Sequence, residues 1–134
     1  MAGAVPFRLD PSSGVPFYRQ VIDQVLLAVA DGRLKPGVQL PTVRALAVDL
    51  SVNLNTIARA YREMEIRGIV ETQQGTGTFV SARKPEKRTA ERRKALERLV
   101  DQFLATAASQ GFTHDEFAEA LLAKTEEAGR RVTP

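Results

Sequence analysis

With 134 residues, 43% of them hydrophobic and 26% charged, the chain is long enough for one domain, or for a small domain with an appendage. It has no cysteine and one histidine, His114, which excludes a disulfide scaffold, a cysteine zinc site and thiol catalysis, and argues against a His-based metal centre or catalytic triad. The formal charge of +3 is compatible with a nucleic-acid partner without demanding one, and no stretch reaches the roughly 18–20 apolar residues of a membrane span.

Residues 1–15 are rich in Gly, Pro and Ser, with Phe7 and Leu9 as isolated apolar residues, and predict an arm or short extended segment. Pro16 opens a helix, because its missing N–H costs nothing in the first turn. Phe17, Val21, Val25 and Ala28, flanked by Ile22, Leu26 and Val29, form its apolar stripe, and Asp31-Gly32 ends it. Leu34-Lys35-Pro36-Gly37 predicts a tight turn. Thr42 suits the N-cap of a short helix with Val43, Leu46, Ala47 and Leu50 on one face, broken at Ser51-Val52-Asn53. A third helix starts near Asn53 or Asn55, buries Ile57, Ala60, Tyr61 and Met64, and stops at Gly68. Two short helices joined in this way predict a helix-turn-helix.

After Gly68 the pattern becomes strand-like. Ile69-Val70-Glu71-Thr72 and Thr78-Phe79-Val80-Ser81 are β-prone, and Gln73-Gln74-Gly75-Thr76-Gly77 between them supplies the glycines of a hairpin tip, so a wing is expected. A basic stretch then leads into a long helix with Leu96, Leu99, Val100, Phe103, Leu104 and Ala107 on one face, closed by Gly111. Thr113-His114-Asp115-Glu116 has capping-box spacing, which makes His114 a solvent-facing residue of the box. A last helix presents Phe117, Ala120 and Leu121, and Gly129 to Pro134 is expected to fray. The fold class is therefore α+β, mostly α: a winged helix-turn-helix over 12–81, a basic linker and helix start over 82–95, and a two-helix dimerisation region over 96–129.

The blocks Leu40-Pro41-Thr42-Val43-Arg44-Ala45-Leu46-Ala47, Val52-Asn53-Leu54-Asn55-Thr56-Ile57, Ala60-Tyr61-Arg62-Glu63-Met64-Glu65-Ile66-Arg67-Gly68 and Gly75-Thr76-Gly77-Thr78-Phe79-Val80 follow one another in this order. In that order they resemble the GntR family of bacterial transcription regulators over about residues 16–81. The roughly fifty residues that remain are similar in length to the short YtrA branch of that family. That resemblance implies two C-terminal helices that dimerise and transporter genes as neighbouring targets. It also implies that Arg44 contacts DNA. Many members carry Arg where this chain has Leu54, so one base-contacting cation is missing.

The residues make a physical case of their own. Asn55, Thr56, Arg59 and Arg62 lie off the apolar stripe of the third helix, as a recognition helix requires. Asn can pair with adenine, Thr offers a hydroxyl or a methyl, and Arg reaches guanine or phosphate. The alternative is a solvated face with an Asn cap at Asn53. Thr42 reads first as a cap, although its exposed hydroxyl suits a phosphate, and Arg44 either anchors DNA or pairs with Asp49. At the wing tip, Gly75, Thr76 and Gly77 allow close backbone approach to DNA or simply form a turn. Candidate dimerisation residues are Leu96, Leu99, Val100, Phe103, Leu104, Phe117 and Leu121, unless this stripe folds back on the first helix of its own chain.

Charge is unevenly placed: +1 over residues 1–81, +5 over 82–98 and −3 over 99–134. The basic stretch Arg83, Lys84, Lys87, Arg88, Arg92, Arg93, Lys94 and Arg98 is a solvated helix start, a phosphate-binding patch or a charged hinge. The expectation is a cytoplasmic, homodimeric, sequence-specific DNA-binding regulator, most simply a repressor on a palindromic double-stranded operator. No enzyme activity, cofactor, metal or membrane association is expected. Any small-molecule effector would have to sit at the dimer interface or between domains. The other reading is a winged-helix module that binds protein or RNA.

Overall fold

The structure is a computed structural model that describes residues 5–82 and 89–132. The order of elements is α1 (Phe17–Ala30), α2 (Val43–Leu50), α3 (Leu54–Ile66), β1 (Val70–Gln73), β2 (Gly77–Val80), α4 (Thr89–Ser109) and α5 (His114–Val132). The chain divides into two compact units, Met1–Arg83 and Lys84–Pro134.

In the first unit, α3 packs against both α1 and α2. Its core joins Val21, Ile22, Val25 and Ala28 of α1 to Leu46 and Ala47 of α2, and to Ile57, Ala60, Tyr61 and Met64 of α3. Every buried α3 residue falls on the expected stripe, because a 3.6-residue period lets only one face of a short helix turn inward. Pro16 stands at the N-cap of α1, one position before the helix it was expected to begin. The turn between α2 and α3 holds Ser51 in a left-handed conformation (φ 55°), and Val52 N–H closes it on Ala47 C=O at 3.0 Å. The same closure ends α3, with Gly68 at φ 75° and Ile69 N–H on Met64 C=O at 2.9 Å.

β1 and β2 form the hairpin with Val70 opposite Val80 and Gln73 opposite Gly77, one residue displaced from the strand ends expected from sequence. The other edge of β2 is covered by residues 38–40, an arrangement that the reading of 34–37 as a turn did not anticipate. Gly37 N–H reaches Val80 C=O at 2.9 Å, Val80 N–H reaches Val38 C=O at 2.8 Å, and Leu40 N–H reaches Thr78 C=O at 2.8 Å. This pairing ties the base of the wing to the segment entering α2, and it satisfies a strand edge that would otherwise be open.

The N-terminal arm is pinned rather than loose. Val5 is buried, and Phe7 and Leu9 pack on the core. Gln24 takes both the N–H and the C=O of Arg8, while Gln20 accepts from Asp10 N–H at 2.8 Å and donates to Asp10 C=O at 2.9 Å. Two glutamines one helical turn apart thus act as a strand edge for an extended peptide. Ser12 donates to the Asp10 carboxylate through its hydroxyl and its backbone N–H, and these bonds hold that carboxyl below its ordinary pKa.

In the second unit, α4 packs on α5 and buries Ala107. Gly111 (φ 90°) turns the chain between them, with Phe112 N–H on Ala107 C=O at 3.0 Å. The capping box is formed in both directions. Thr113 Oγ1 accepts from Glu116 N–H at 3.1 Å, and Glu116 Oε1 accepts from Thr113 N–H at 3.2 Å. α5 continues through Gly129 to Val132, past the point where fraying was expected. One glycine costs a helix only about 1 kcal/mol relative to alanine, too little to end it alone.

Candidate nucleic-acid interface

Three local structures position the candidate residues. Thr42 caps α2, its Oγ1 accepting from Ala45 N–H at 3.0 Å, and this places Arg44 in the first helical turn. Asn53 caps α3, its Oδ1 accepting from Asn55 N–H at 2.7 Å. Both side chains therefore have structural duties that their exposure alone would not reveal. Neither α2 nor α3 has an acidic residue in its first turn, so the partial positive charge of each N-terminus is not neutralised locally.

Arg44, Asn55 and Arg62 are exposed and make no hydrogen bond or ion pair through their side chains among the described residues. The alternative pairing of Arg44 with Asp49 is not formed. Thr56 is half-buried. Arg59 is exposed but engaged: its guanidinium carbon sits over the Tyr18 ring of α1, 3.9 Å from the centroid. Arg44 also borders an open notch of about 350 Å³, lined with Ala47, Val48, Ser51, Val52 and Leu54.

The wing tip is held from below. Gln39 donates its side-chain amide to Thr76 C=O at 3.1 Å, and an added Cβ at Gly77 (φ 140°) would lie 2.4 Å from Gln39 Nε2. The backbone conformation at Gly77 favours glycine, and a side chain there would also push aside the end of Gln39. At Gly75 (φ 78°) the surrounding space is open, and only the backbone conformation demands glycine. No Lys or Arg occurs from Gly68 to Ala82, so apart from Glu71 the wing offers uncharged hydrogen-bonding groups: Thr72, Gln73, Gln74, Thr76 and Thr78.

Gln39 and Tyr18 were not among the candidates. Both act through partners 37 and 41 positions away, Thr76 and Arg59, and no periodicity or motif near either residue signals such an interaction.

The second unit exposes much of its apolar stripe: Leu96 is 61% exposed, Phe103 57% and Leu121 52%, with Leu99 and Val100 also exposed and Leu104 and Phe117 half-buried. Phe112 and Leu122, which were not among the expected residues, are also exposed. Arg92, Arg93, Lys94 and Arg98 are exposed on α4, whereas Arg83, Lys84, Lys87 and Arg88 lie outside the described residues. Among the described residues no helix is long and apolar enough to cross a membrane.

The chain is similar to three known proteins. A Bacillus subtilis HTH-type regulator, YhcF, is 39% identical over 114 residues, which cover 85% of this chain and 93% of the relative. The B. subtilis HTH-type transcriptional repressor YtrA is 45% identical over 74 residues, covering 55% of this chain and only 57% of YtrA. The solved structure of YtrA from Sulfolobus acidocaldarius, a GntR-family transcription factor, superposes with a TM-score of 0.58 at 31% identity, covering 74% of this chain and 97% of that one. The profile of bacterial regulatory proteins of the gntR family matches residues 17–80, from the start of α1 to the end of the wing. With a helix-turn-helix, a wing and YtrA-type relatives, one of them matched almost end to end, the chain belongs to the GntR family of bacterial regulatory proteins.

Proposed function

We propose that this GntR regulator is a cytoplasmic homodimer that represses transcription by binding a palindromic double-stranded operator, with α3 in the major groove and the wing alongside. The observation that carries this reading is the two-sidedness of α3. One face is completely used by the core, and the other presents Asn55, Thr56, Arg59 and Arg62. A helix face with this donor content matches base edges and phosphates better than it matches an apolar partner.

In this reading Arg44 anchors the backbone, Thr42 and Asn53 add cap groups near phosphates, and Gly75-Thr76-Gly77 brings the wing backbone close to DNA. Residues 12–81 form the reading domain, 82–95 the linker and 96–129 the dimerisation region. Pairing of two chains would cover the exposed apolar stripe of α4 and α5, and a two-fold dimer would match a palindrome. The name of the B. subtilis relative supports repression as the direction of control. No catalytic step or cofactor enters this mechanism.

The test is selection from a random duplex library, followed by binding measurements on the enriched site. A palindromic duplex should be enriched. Arg44→Ala should weaken binding to every sequence and lower the salt slope by about 0.9 for each phosphate that the arginine neutralises. Asn55→Ala should change base preference by about 1–3 kcal/mol at one position in each half-site. Failure to enrich any duplex, with capture of RNA or a protein instead, would transfer the assignment to the other winged-helix reading.

A further inference from the structure

We propose that Tyr18, on α1, is a positioning residue for DNA recognition: its ring holds the Arg59 guanidinium ready to contact operator DNA. The inference rests on the reading of α3 as the recognition helix. Three observations carry it. The guanidinium carbon lies over the ring at 3.9 Å. Tyr18 is itself half-buried against the core, on a helix that packs along α3, so the ring is a fixed platform. Arg59 makes no hydrogen bond and no ion pair among the described residues, which leaves its five N–H donors for an acceptor outside the chain.

An arginine tied to a carboxylate would have to break that pair before meeting a phosphate or a guanine. An arginine held by a ring face loses rotamer freedom in advance and keeps its donors. Arg59 lies one turn from both Asn55 and Arg62, so holding it also sets the spacing of the recognition face. Tyr18 touches no DNA in this scheme. It acts through Arg59 alone.

A double-mutant cycle on the duplex selected by the wild-type protein separates this role from a purely structural one. Tyr18→Leu keeps an apolar side chain against the core and should weaken binding to that duplex about two- to fivefold, the range of an exposed cation–π interaction. Tyr18→Phe keeps the ring and should bind within about twofold of wild type. In an Arg59→Ala background, Tyr18→Leu should have no further effect. An equal loss in both backgrounds, or a loss in Tyr18→Phe matching that in Tyr18→Leu, overturns the proposal. So does tighter binding by Tyr18→Leu, because the ring would then be withholding the guanidinium from DNA. If wild type selects a duplex but the cycle shows no coupling, this inference alone falls; if wild type selects none, both fall.

Discussion

Tyr61 illustrates how one side chain can serve two elements. Its ring fills the core between α2 and α3, and its hydroxyl donates to Pro41 C=O at the entrance to α2. Burial pushes the phenol above its ordinary pKa of 10.0, because the phenolate would lose its hydration. The folded protein therefore holds this proton more tightly than the unfolded chain does. The stability tied to it is complete below about pH 10 and is lost as the pH rises past that value, at up to about 1.4 kcal/mol per pH unit. Urea unfolding across the alkaline range should show this steep fall in wild type and a shallower one in Tyr61→Phe. At neutral pH, Tyr61→Phe should lose about 1–3 kcal/mol, because the Pro41 carbonyl is left without its donor. The α3 stripe places Tyr61 in the core, but the bond to Pro41 spans twenty residues and has no signature in the sequence.

At the level of elements, the wing is the least autonomous part of the first unit. A two-stranded hairpin is marginal alone, and this one gains a second set of backbone bonds from residues 37–40 and a prop from Gln39. Gly77 lies at the meeting point of both supports. Gly77→Ala should destabilise the fold by about 1–3 kcal/mol through its backbone conformation and the enforced shift of Gln39. Adding Gln39→Ala should recover only part of that loss in urea titration, since the backbone strain remains; complete recovery would assign the whole cost to the side-chain clash. The hairpin itself was legible from β-branched runs around two glycines, whereas the segment that supports it begins at Gly37, directly after Pro36, and carries no strand periodicity.

For the molecule as a whole, the informative quantity is how charge and apolar surface are distributed between the two units. Residues 1–81 carry a net charge of only +1, so under the proposed function DNA selectivity would come from a few placed groups such as Arg44, Asn55 and Arg59. The +5 stretch of residues 82–98 lies between the wing and the main apolar stripe of α4. The second unit leaves Leu96, Leu99, Val100, Phe103 and Leu121 exposed, apolar surface that the proposed homodimer would cover. Leu99→Asp combined with Phe103→Asp should shift sedimentation equilibrium from dimer to monomer and reduce affinity for a full palindrome far more than for a half-site. An unchanged dimer would move the interface off this face.

Much of the molecule was written locally. Helix faces, caps at Thr42, Asn53 and Thr113, the stop at Gly68 and the hairpin glycines all depend on residues within about one helical turn of each other, so periodicity and spacing determined them. What tertiary structure alone decided was the use of the polar groups. Gln20 and Gln24 clamp the arm, Gln39 props the wing, and Tyr18 rather than a carboxylate holds Arg59. Each of those interactions joins segments distant along the chain, and the choice among equally plausible partners was made by which elements the buried apolar stripes drew together.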